Sequence, residues 1–208
     1  MDIKKTANLL INFTVRRLAE IFGLIILLAG VLLLAALLSY SPEDPNFIFP
    51  ENTQIKNILG FKGSFISDLF FQSIGFMSYL FSSTLIITGI NILRLKEFFL
   101  IIENIFFSII YLIFGTLFFA HFFSNDFTLY INGNGGFLGL YFNKTFLNSL
   151  ILINETISFY FLIIITICFF LVSINFHPIK FYGNIKKILI FFRNKSEKNY
   201  THKNEVIK

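Results

Sequence analysis

Two ionisable side chains, Glu103 and His121, lie in one long apolar run of this 208-residue chain. An ionisable group inside a membrane segment hints at function, because proton and ion pathways use such groups. The two residues are 18 positions apart, about 27 Å along a helix, so they do not pair within one span. Two interpretations stay open: the side chains reach towards opposite membrane interfaces, or they belong to a proton or ion pathway.

Other residues suited to chemistry are few. Cys168 is the single cysteine and lies in an apolar run, where a free thiol behaves as a small hydrophobic group. The sequence therefore offers neither a disulfide framework nor a thiolate metal cluster. No glycine is followed by lysine, so the phosphate-binding pattern Gly-x-x-x-x-Gly-Lys-[Ser/Thr] is missing. We predict no cofactor and no ATP hydrolysis by this chain.

The composition indicates a protein that crosses the membrane several times. Hydrophobic residues make up 55% of the chain and charged residues 14%, against about 25% charged in a soluble domain. A span needs about 20 mainly apolar residues. The first run is longer than the roughly 7–15 residues of a signal peptide, so we expect it to be retained. The predicted spans are residues 18–38, 69–93, 98–123 and 157–176.

The distribution of positive charge predicts the orientation of these spans. Fourteen Lys and Arg residues lie in the N-terminal segment 1–17, in the turn between the second and third spans, and in the tail 177–208. Only three lie in the other two loops, residues 39–68 and 124–156. Because basic loops stay on the cytoplasmic side, both termini are predicted to be cytoplasmic and these two loops to face outward.

Two further patterns complete the predicted fold. The pairs Ser78 and Ser82, and Thr84 and Thr88, are each four residues apart, a spacing that lets helices approach closely, within the bundle or between protomers. After span three, residues 137–153 predict an interfacial or partly re-entrant helix that breaks near Asn154. The predicted fold is an all-α integral membrane protein: a four-transmembrane-helix bundle, N-in/C-in, with an interfacial or re-entrant helix between spans 3 and 4.

The stretch "SYSPEDPNF" follows directly on the first span. Pro42 lacks an N–H and biases Ser41 away from helical geometry, so the helix is predicted to stop at or just before Ser41. Pro45 acts in the same way on Asp44. We expect a stiff, non-helical exit that Glu43 and Asp44 hold in water.

A glycine-containing segment, "NILGFKGSFISDLFF", precedes the second span. Gly60 and Gly63 are three residues apart, and Asp68 follows just ahead of the apolar run. A carboxylate at this position accepts N–H bonds at the positive end of the helix dipole. We therefore expect Asp68 to cap the second helix.

The order of these segments resembles the membrane-embedded N-terminal domain of the FtsK/SpoIIIE family of DNA translocases. Its exit pattern, Ser-x-x-Pro-x-Asp-Pro, is followed by a Gly-x-x-Gly-then-Asp segment, a glycine in span two and a Gly-Gly-x-x-Gly before the last span. The proline that the family often has inside span two is replaced here by Ser82 and Ser83. The matching residues are Ser39, Pro42, Asp44, Pro45, Gly60, Gly63, Asp68, Gly75, Gly135, Gly136 and Gly139.

The resemblance implies a membrane anchor and septal scaffold module of an FtsK-like DNA translocase, located in the bacterial inner membrane at the division septum. It implies other division proteins as partners, hexameric self-association, and DNA contact only through a motor domain, which is either truncated away or encoded separately. The alternative is a small four-span transporter or channel-like protein, which would need polar groups that converge near the midplane.

The basic tail completes the cytoplasmic side. Phe181, Ile185, Ile188 and Phe192 recur at helical spacing, which predicts an amphipathic helix on the inner leaflet. The chain beyond Arg193 is predicted to be disordered. Its positive charge suits either anionic lipid or DNA phosphates, and proximity to the membrane favours lipid.

Overall fold

The computed structural model describes residues 3–45, 54–124, 132–178 and 190. Within these ranges every regular element is an α-helix, which confirms the predicted fold class. The helices all belong to one compact unit, residues 1–174; residues 175–208 form a second unit, and most of the predicted tail helix lies outside the described residues. The elements are α1 (Ile3–Leu38), α2 (Gly60–Ile74), α3 (Met77–Leu95), α4 (Leu100–Phe122), α5 (Gly136–Asn143), α6 (Phe146–Ile153) and α7 (Glu155–Ser173).

Among the residues that the structure describes, four helices are long and apolar enough to cross a membrane, as predicted. They are Ile11–Leu38 of α1 and the whole of α3, α4 and α7. α1 packs chiefly against α3, and α4 packs chiefly against α7. The chain therefore forms two antiparallel helix pairs, which α3 and α4 join through a short connection.

α1 ends at Leu38, in agreement with the stop predicted from Pro42. Its last carbonyls find partners after the helix ends: the Ser39 hydroxyl donates to the Ala35 carbonyl at 2.7 Å, and the Asn57 amide donates to the Ala36 carbonyl at 2.9 Å. The helix begins at Ile3, well before the predicted span. No glycine or proline interrupts residues 3–22, so helical geometry continues through the basic segment.

The second span differs from the prediction of one continuous helix over 69–93. The helix breaks at Gly75, where φ is +56°, and the spanning helix starts only at Met77. A left-handed backbone of this kind is open to glycine but strained for other residues. The residues before the break belong to a separate helix, α2, that starts at Gly60.

The predicted helix between the third and fourth spans is a bent pair. α5 and α6 meet at an angle of 72°. Thr145 lies at the break and caps α6, because its hydroxyl oxygen accepts a hydrogen bond from the Leu147 N–H at 3.3 Å. The predicted break near Asn154 is present too, and the Asn154 side chain caps α7 by accepting from the Ile157 N–H at 3.0 Å.

The helix pair α1–α3 is in close contact through small residues. A Cβ atom on Gly30 would lie 2.8 Å from the Ile86 nitrogen, and one on Gly89 would lie 2.6 Å from the Leu27 nitrogen. These distances leave no room for a side chain, so the two backbones approach as small residues allow. The serine and threonine pairs of α3 lie inside this bundle: Ser78, Ser82, Thr84 and Thr88 are all buried.

Candidate functional site

The exit from α1 is organised around the carboxylate of Asp44. Asp44 is only 1% exposed, and its two oxygens accept hydrogen bonds from the backbone N–H groups of Lys56 and Asn57, each at 2.8 Å. The expectation that Asp44 is solvated is therefore wrong. Two backbone donors satisfy the carboxylate and so allow its burial. Asp44 ties the exit of α1 to the segment that leads into α2.

Glu43, next to it, matches the prediction of an acidic side chain in water. It is exposed and forms an ion pair with the ammonium group of Lys56. The hydrogen bond from Lys56 lowers the pKa of Glu43, and the same carboxylate raises the pKa of Lys56. Both groups stay charged near neutral pH, although an exposed pair of this kind contributes little to stability.

Asn57 is the central residue of this region, and the sequence analysis missed it. Besides donating to Asp44 and to the Ala36 carbonyl, it accepts from the Leu59 N–H at 3.0 Å. A Cβ atom on Gly63 would collide with its side-chain oxygen. The signal in the sequence is the residue type. Asparagine often begins an Asx turn, in which its side chain bonds the backbone two residues later.

The other exit residues occupy distinct positions. Ser39 accepts from the Ile58 N–H at 3.2 Å, and the carbonyl of the buried Pro45 accepts from the Ser64 hydroxyl at 2.8 Å. Pro42 is exposed. Gly60 has φ of +66° and open space around it, so its requirement for glycine is conformational. We call this set of contacts among residues 39–45 and 56–64 the exit junction.

Asp68 does not cap a helix, contrary to the prediction. It lies in the middle of α2, is 4% exposed, and accepts a hydrogen bond from the Tyr40 hydroxyl at 3.2 Å. The reason is that α2 begins at Gly60, nine positions before the predicted start of the apolar run at Leu69. The carboxylate therefore links α2 to the end of α1.

The remaining glycines of the pattern meet at a second place, which we call the glycine junction. Gly75 lies against Gly136, whose φ is +64°; a Cβ atom on Gly136 would lie 2.6 Å from the Gly75 nitrogen. A Cβ atom on Gly135 or Gly139 would meet the carbonyl oxygen of Thr116 on α4. Gly75 and three glycines about 60 residues later in the chain thus allow α4, α5 and the α2–α3 break to pack backbone against backbone.

Hydrogen bonds from three asparagine and glutamine side chains hold the glycine junction. Asn132 donates its backbone N–H to the Gln72 side chain at 3.2 Å and its amide to the Gln72 carbonyl at 3.1 Å. The Phe76 N–H donates to the Asn134 carbonyl at 3.0 Å, and the buried Asn134 amide donates to the Phe123 carbonyl. The residues directly before α5, 132–135, are therefore fixed to α2 and to the end of α4.

Both junctions fall inside one matched region. Residues 15–184 match the family described as the 4TM region of DNA translocase FtsK/SpoIIIE. The chain belongs to this family. A stretch of 78 residues is also 30% identical to DNA translocase FtsK of Rhizobium meliloti (strain 1021), which covers 38% of this chain and 9% of that relative. The match thus spans about a tenth of the relative's length, and no solved structure matches this chain.

This FtsK-family membrane domain does not bring Glu103 and His121 together. Glu103 is exposed near the start of α4, and His121, at the other end, is 3.2 Å from the Asn143 side-chain oxygen through its Nδ1. Within the described ranges no three His, Cys, Asp or Glu side chains cluster as a metal site. Cys168 is exposed on α7.

Polar side chains do meet between α3 and α4. Thr84 and the Tyr111 hydroxyl share a hydrogen bond of 2.9 Å, and the Asn104 amide donates to the Thr88 hydroxyl at 2.9 Å. All four side chains are buried and uncharged. Such interhelical hydrogen bonds stabilise packing inside a bilayer. The sequence analysis recognised the α3 members by their spacing but not their partners on α4.

A cavity of about 270 Å³ lies between α4, α6 and α7. Leucine, isoleucine and phenylalanine side chains line it, together with Ser158, whose hydroxyl donates to the Ile151 carbonyl at 3.3 Å. With that hydroxyl occupied, the lining offers no nucleophile or acid for catalysis.

Proposed function

We propose that this chain is the membrane anchor and septal scaffold module of an FtsK-like DNA translocase, with a role in cell division and chromosome segregation. One observation carries the proposal: the residues that resemble the family hold two connecting segments in fixed positions through buried hydrogen bonds and glycine contacts. An arrangement of this kind suits binding, because a pre-ordered surface loses less entropy when a partner docks.

The proposed location is the bacterial inner membrane at the division septum. The surfaces offered to other division proteins are the segments around the two junctions, within residues 39–68 and 124–156, which the charge distribution places outside. In this proposal the basic tail that starts at His177 would lead towards the motor on the cytoplasmic side. DNA pumping belongs, in this proposal, to a motor domain of the translocase, and the membrane module self-associates so that six motors form a ring.

The experiment that tests the scaffold role is localisation of a fluorescent fusion in dividing cells. Asp44→Ala removes the acceptor of two buried backbone N–H groups, so we expect the exit junction to loosen and the septal signal to disperse around the membrane. Glu43→Gln, one residue away and exposed, is the matched control and should keep the septal band.

The combined replacement of Pro42, Asp44 and Pro45 by alanine is the stronger form of this test. Membrane insertion and protein level are measured by immunoblot of membrane fractions, so that loss of the septal band is separated from loss of the protein. A dispersed signal at normal protein level supports the scaffold role, whereas an unchanged septal band contradicts it.

The transporter or channel alternative has one observation in its favour, the polar contacts between α3 and α4. These four side chains are uncharged and satisfied by one another, which fits packing as well as transport. Proton and cation flux into proteoliposomes is the direct test. Flux that disappears in the variants Glu103→Gln and His121→Asn would favour transport, and no flux in the unaltered protein would exclude it.

A further inference from the structure

α2 has its polar side turned towards the protein and its apolar side turned outward. The opposite arrangement is expected for a helix on the surface of a protein in water. Phe71 is the one large apolar side chain on its buried face. The buried face otherwise carries Gly63, Ser64, Ser67 and Asp68, whereas the exposed side chains include Phe61 at 44%, Ile66 at 41% and Leu69 at 54%.

The depth of α2 follows from the length of α3. α3 has 19 residues, about 28 Å, which is close to the thickness of the hydrocarbon layer, so all of it is needed for the crossing. Phe81, four residues past the start of α3, therefore lies within the hydrocarbon. The ring of Phe70 stacks on the ring of Phe81 with centroids 5.7 Å apart. The second half of α2 is consequently at the same depth.

The contacts that Phe71 makes with α1 support the same membrane depth for α2. Phe71 is fully buried in one apolar cluster with Leu33 and Leu37, which lie in the last two turns of a membrane-spanning helix. The exposed face of α2 is thus level with a part of the spans that only lipid or another protein can cover. Lys62, exposed on the first turn, lies farther from the break, and its long side chain can reach the headgroups.

We propose that α2 is inserted in the bilayer leaflet next to the α1–α2 connection, with Phe61, Ile66 and Leu69 against phospholipid acyl chains. The occupant of this face is lipid, because the face continues the exposed apolar surface of α1, where Leu38 is 71% exposed. α2 therefore enters one leaflet only, beside the four spans. Within residues 39–68, the part left for division partners is then the segment before α2, so the lipid contact of α2 and the septal role are tested separately.

The experiment uses the natural absence of tryptophan from the chain. A single tryptophan is introduced by Leu69→Trp or Phe61→Trp, and the full chain is reconstituted in phosphatidylcholine vesicles with bromine on the acyl chains, near the headgroup or near the chain end. Ile164→Trp, in the middle of α7 and 60% exposed, is the deep lipid control. Glu43→Trp is the water control, and acrylamide probes access from water.

We expect brominated lipid to quench Leu69→Trp strongly, and more so when the bromine is near the headgroup than near the chain end. Ile164→Trp should show the reverse order, and Glu43→Trp should respond to acrylamide alone. Quenching of Leu69→Trp by acrylamide and not by bromine would overturn the proposal, because the face would then be in water. Protection from both quenchers would overturn it too, because protein, such as a second copy, would then cover the face.

Phe61→Trp repeats the measurement with a conservative aromatic exchange. Circular dichroism of each variant before reconstitution measures whether the helical content is unchanged. If Leu69→Trp loses helical content, Phe61→Trp decides by the same criteria, with bromine quenching for the proposal and acrylamide quenching or double protection against it.

Discussion

The two helix pairs of the bundle are held together in different ways. α1 and α3 touch backbone to backbone, and Gly30 and Gly89 leave no space for a side chain between them. α4 and α7 instead pack largely through rings: Phe169 stacks on Phe107 and on Phe114, with centroids 6.1 and 6.5 Å apart. We call these contacts the glycine seam and the aromatic seam. Where two backbones touch, no side chain can rotate to relieve a clash, whereas packed side chains can shift. We therefore expect the glycine seam to be the more rigid half of the molecule.

Gly30→Ala should have the largest effect among the changes that test this comparison. Its methyl group would lie 2.8 Å from the Ile86 nitrogen and 2.9 Å from the Leu85 Cβ, so the helices must separate, at a cost of about 3 kcal/mol. Unfolding in a sodium dodecyl sulfate titration, followed by circular dichroism, measures the change. Val31→Ala on the exposed side of the same turn is the control and should change little.

Phe169→Leu should have a smaller effect, because it removes a ring that stacks on Phe107 and Phe114 but leaves an apolar side chain in place. An aromatic pair is worth about 0.5–1.5 kcal/mol beyond its buried area, so we expect a loss of about 1 kcal/mol in the same titration. A loss as large as that of Gly30→Ala would show that the aromatic seam is no more tolerant than the glycine seam.

Thr88→Val tests one of the two hydrogen bonds described between α3 and α4, which belong to different helix pairs. It removes the acceptor of the Asn104 amide without changing the size of the side chain. Hydrogen bonds of this kind inside membranes are worth about 0.6 kcal/mol on average, so a small loss of stability is expected. In a double-mutant cycle, the effect of Thr88→Val should vanish when Asn104 is already Leu; a persistent effect would mean that Thr88 stabilises the bundle through its packing.

Gly115→Ala should have the smallest effect, although it is the same substitution as Gly30→Ala. The added methyl group meets the end of the Met77 side chain and lies 3.1 Å from the Thr166 methyl. Methionine is flexible enough to move aside, and alanine favours a helix by roughly 1 kcal/mol over glycine. The unfolding midpoint should therefore stay the same or rise slightly. If the unfolding midpoint fell as much as for Gly30→Ala, the two helix pairs would not differ in their tolerance of an added methyl group.

The local features of the fold could be predicted from the sequence. Each predicted span is a mainly apolar run with few or no charges, and Pro42 ends the first helix by a steric effect on its immediate neighbour. The break at Asn154 likewise depends on a side chain that bonds the backbone three residues later. Patterns of this range are visible without knowledge of the tertiary structure, which is why the number of spans and the end of α1 were predicted correctly.

The features that were missed depend on contacts between distant segments. Asp44 is buried because backbone donors twelve and thirteen residues away bond to it, and no local pattern shows where they lie. The backbone around Asn134 packs directly against Gly75 at the break. Nothing near Gly75 in the sequence indicates this contact, so Gly75 looked like one more small residue of a continuous span. Asp68 was misplaced because an apolar run does not distinguish the start of a span from the middle of a preceding helix.

The unequal lengths of α1 and α3 have a consequence for the membrane around the protein. α1 begins at Ile3 and ends at Leu38, whereas α3 covers only Met77–Leu95. The two helices are aligned at Tyr79, whose hydroxyl is 3.4 Å from the Leu37 carbonyl, and at Lys96, whose ammonium group is 2.6 Å from Glu20. The residues of α1 before Glu20 therefore extend past the end of α3, and exposed apolar side chains such as Ile11 and Phe13 lie there beside the exposed Arg16 and Arg17.

Apolar side chains beside arginines suit the level of the lipid headgroups, because the apolar groups can enter the bilayer while the long arginine side chains reach the phosphates. We expect this extension of α1 to hold one corner of the domain against anionic lipid headgroups.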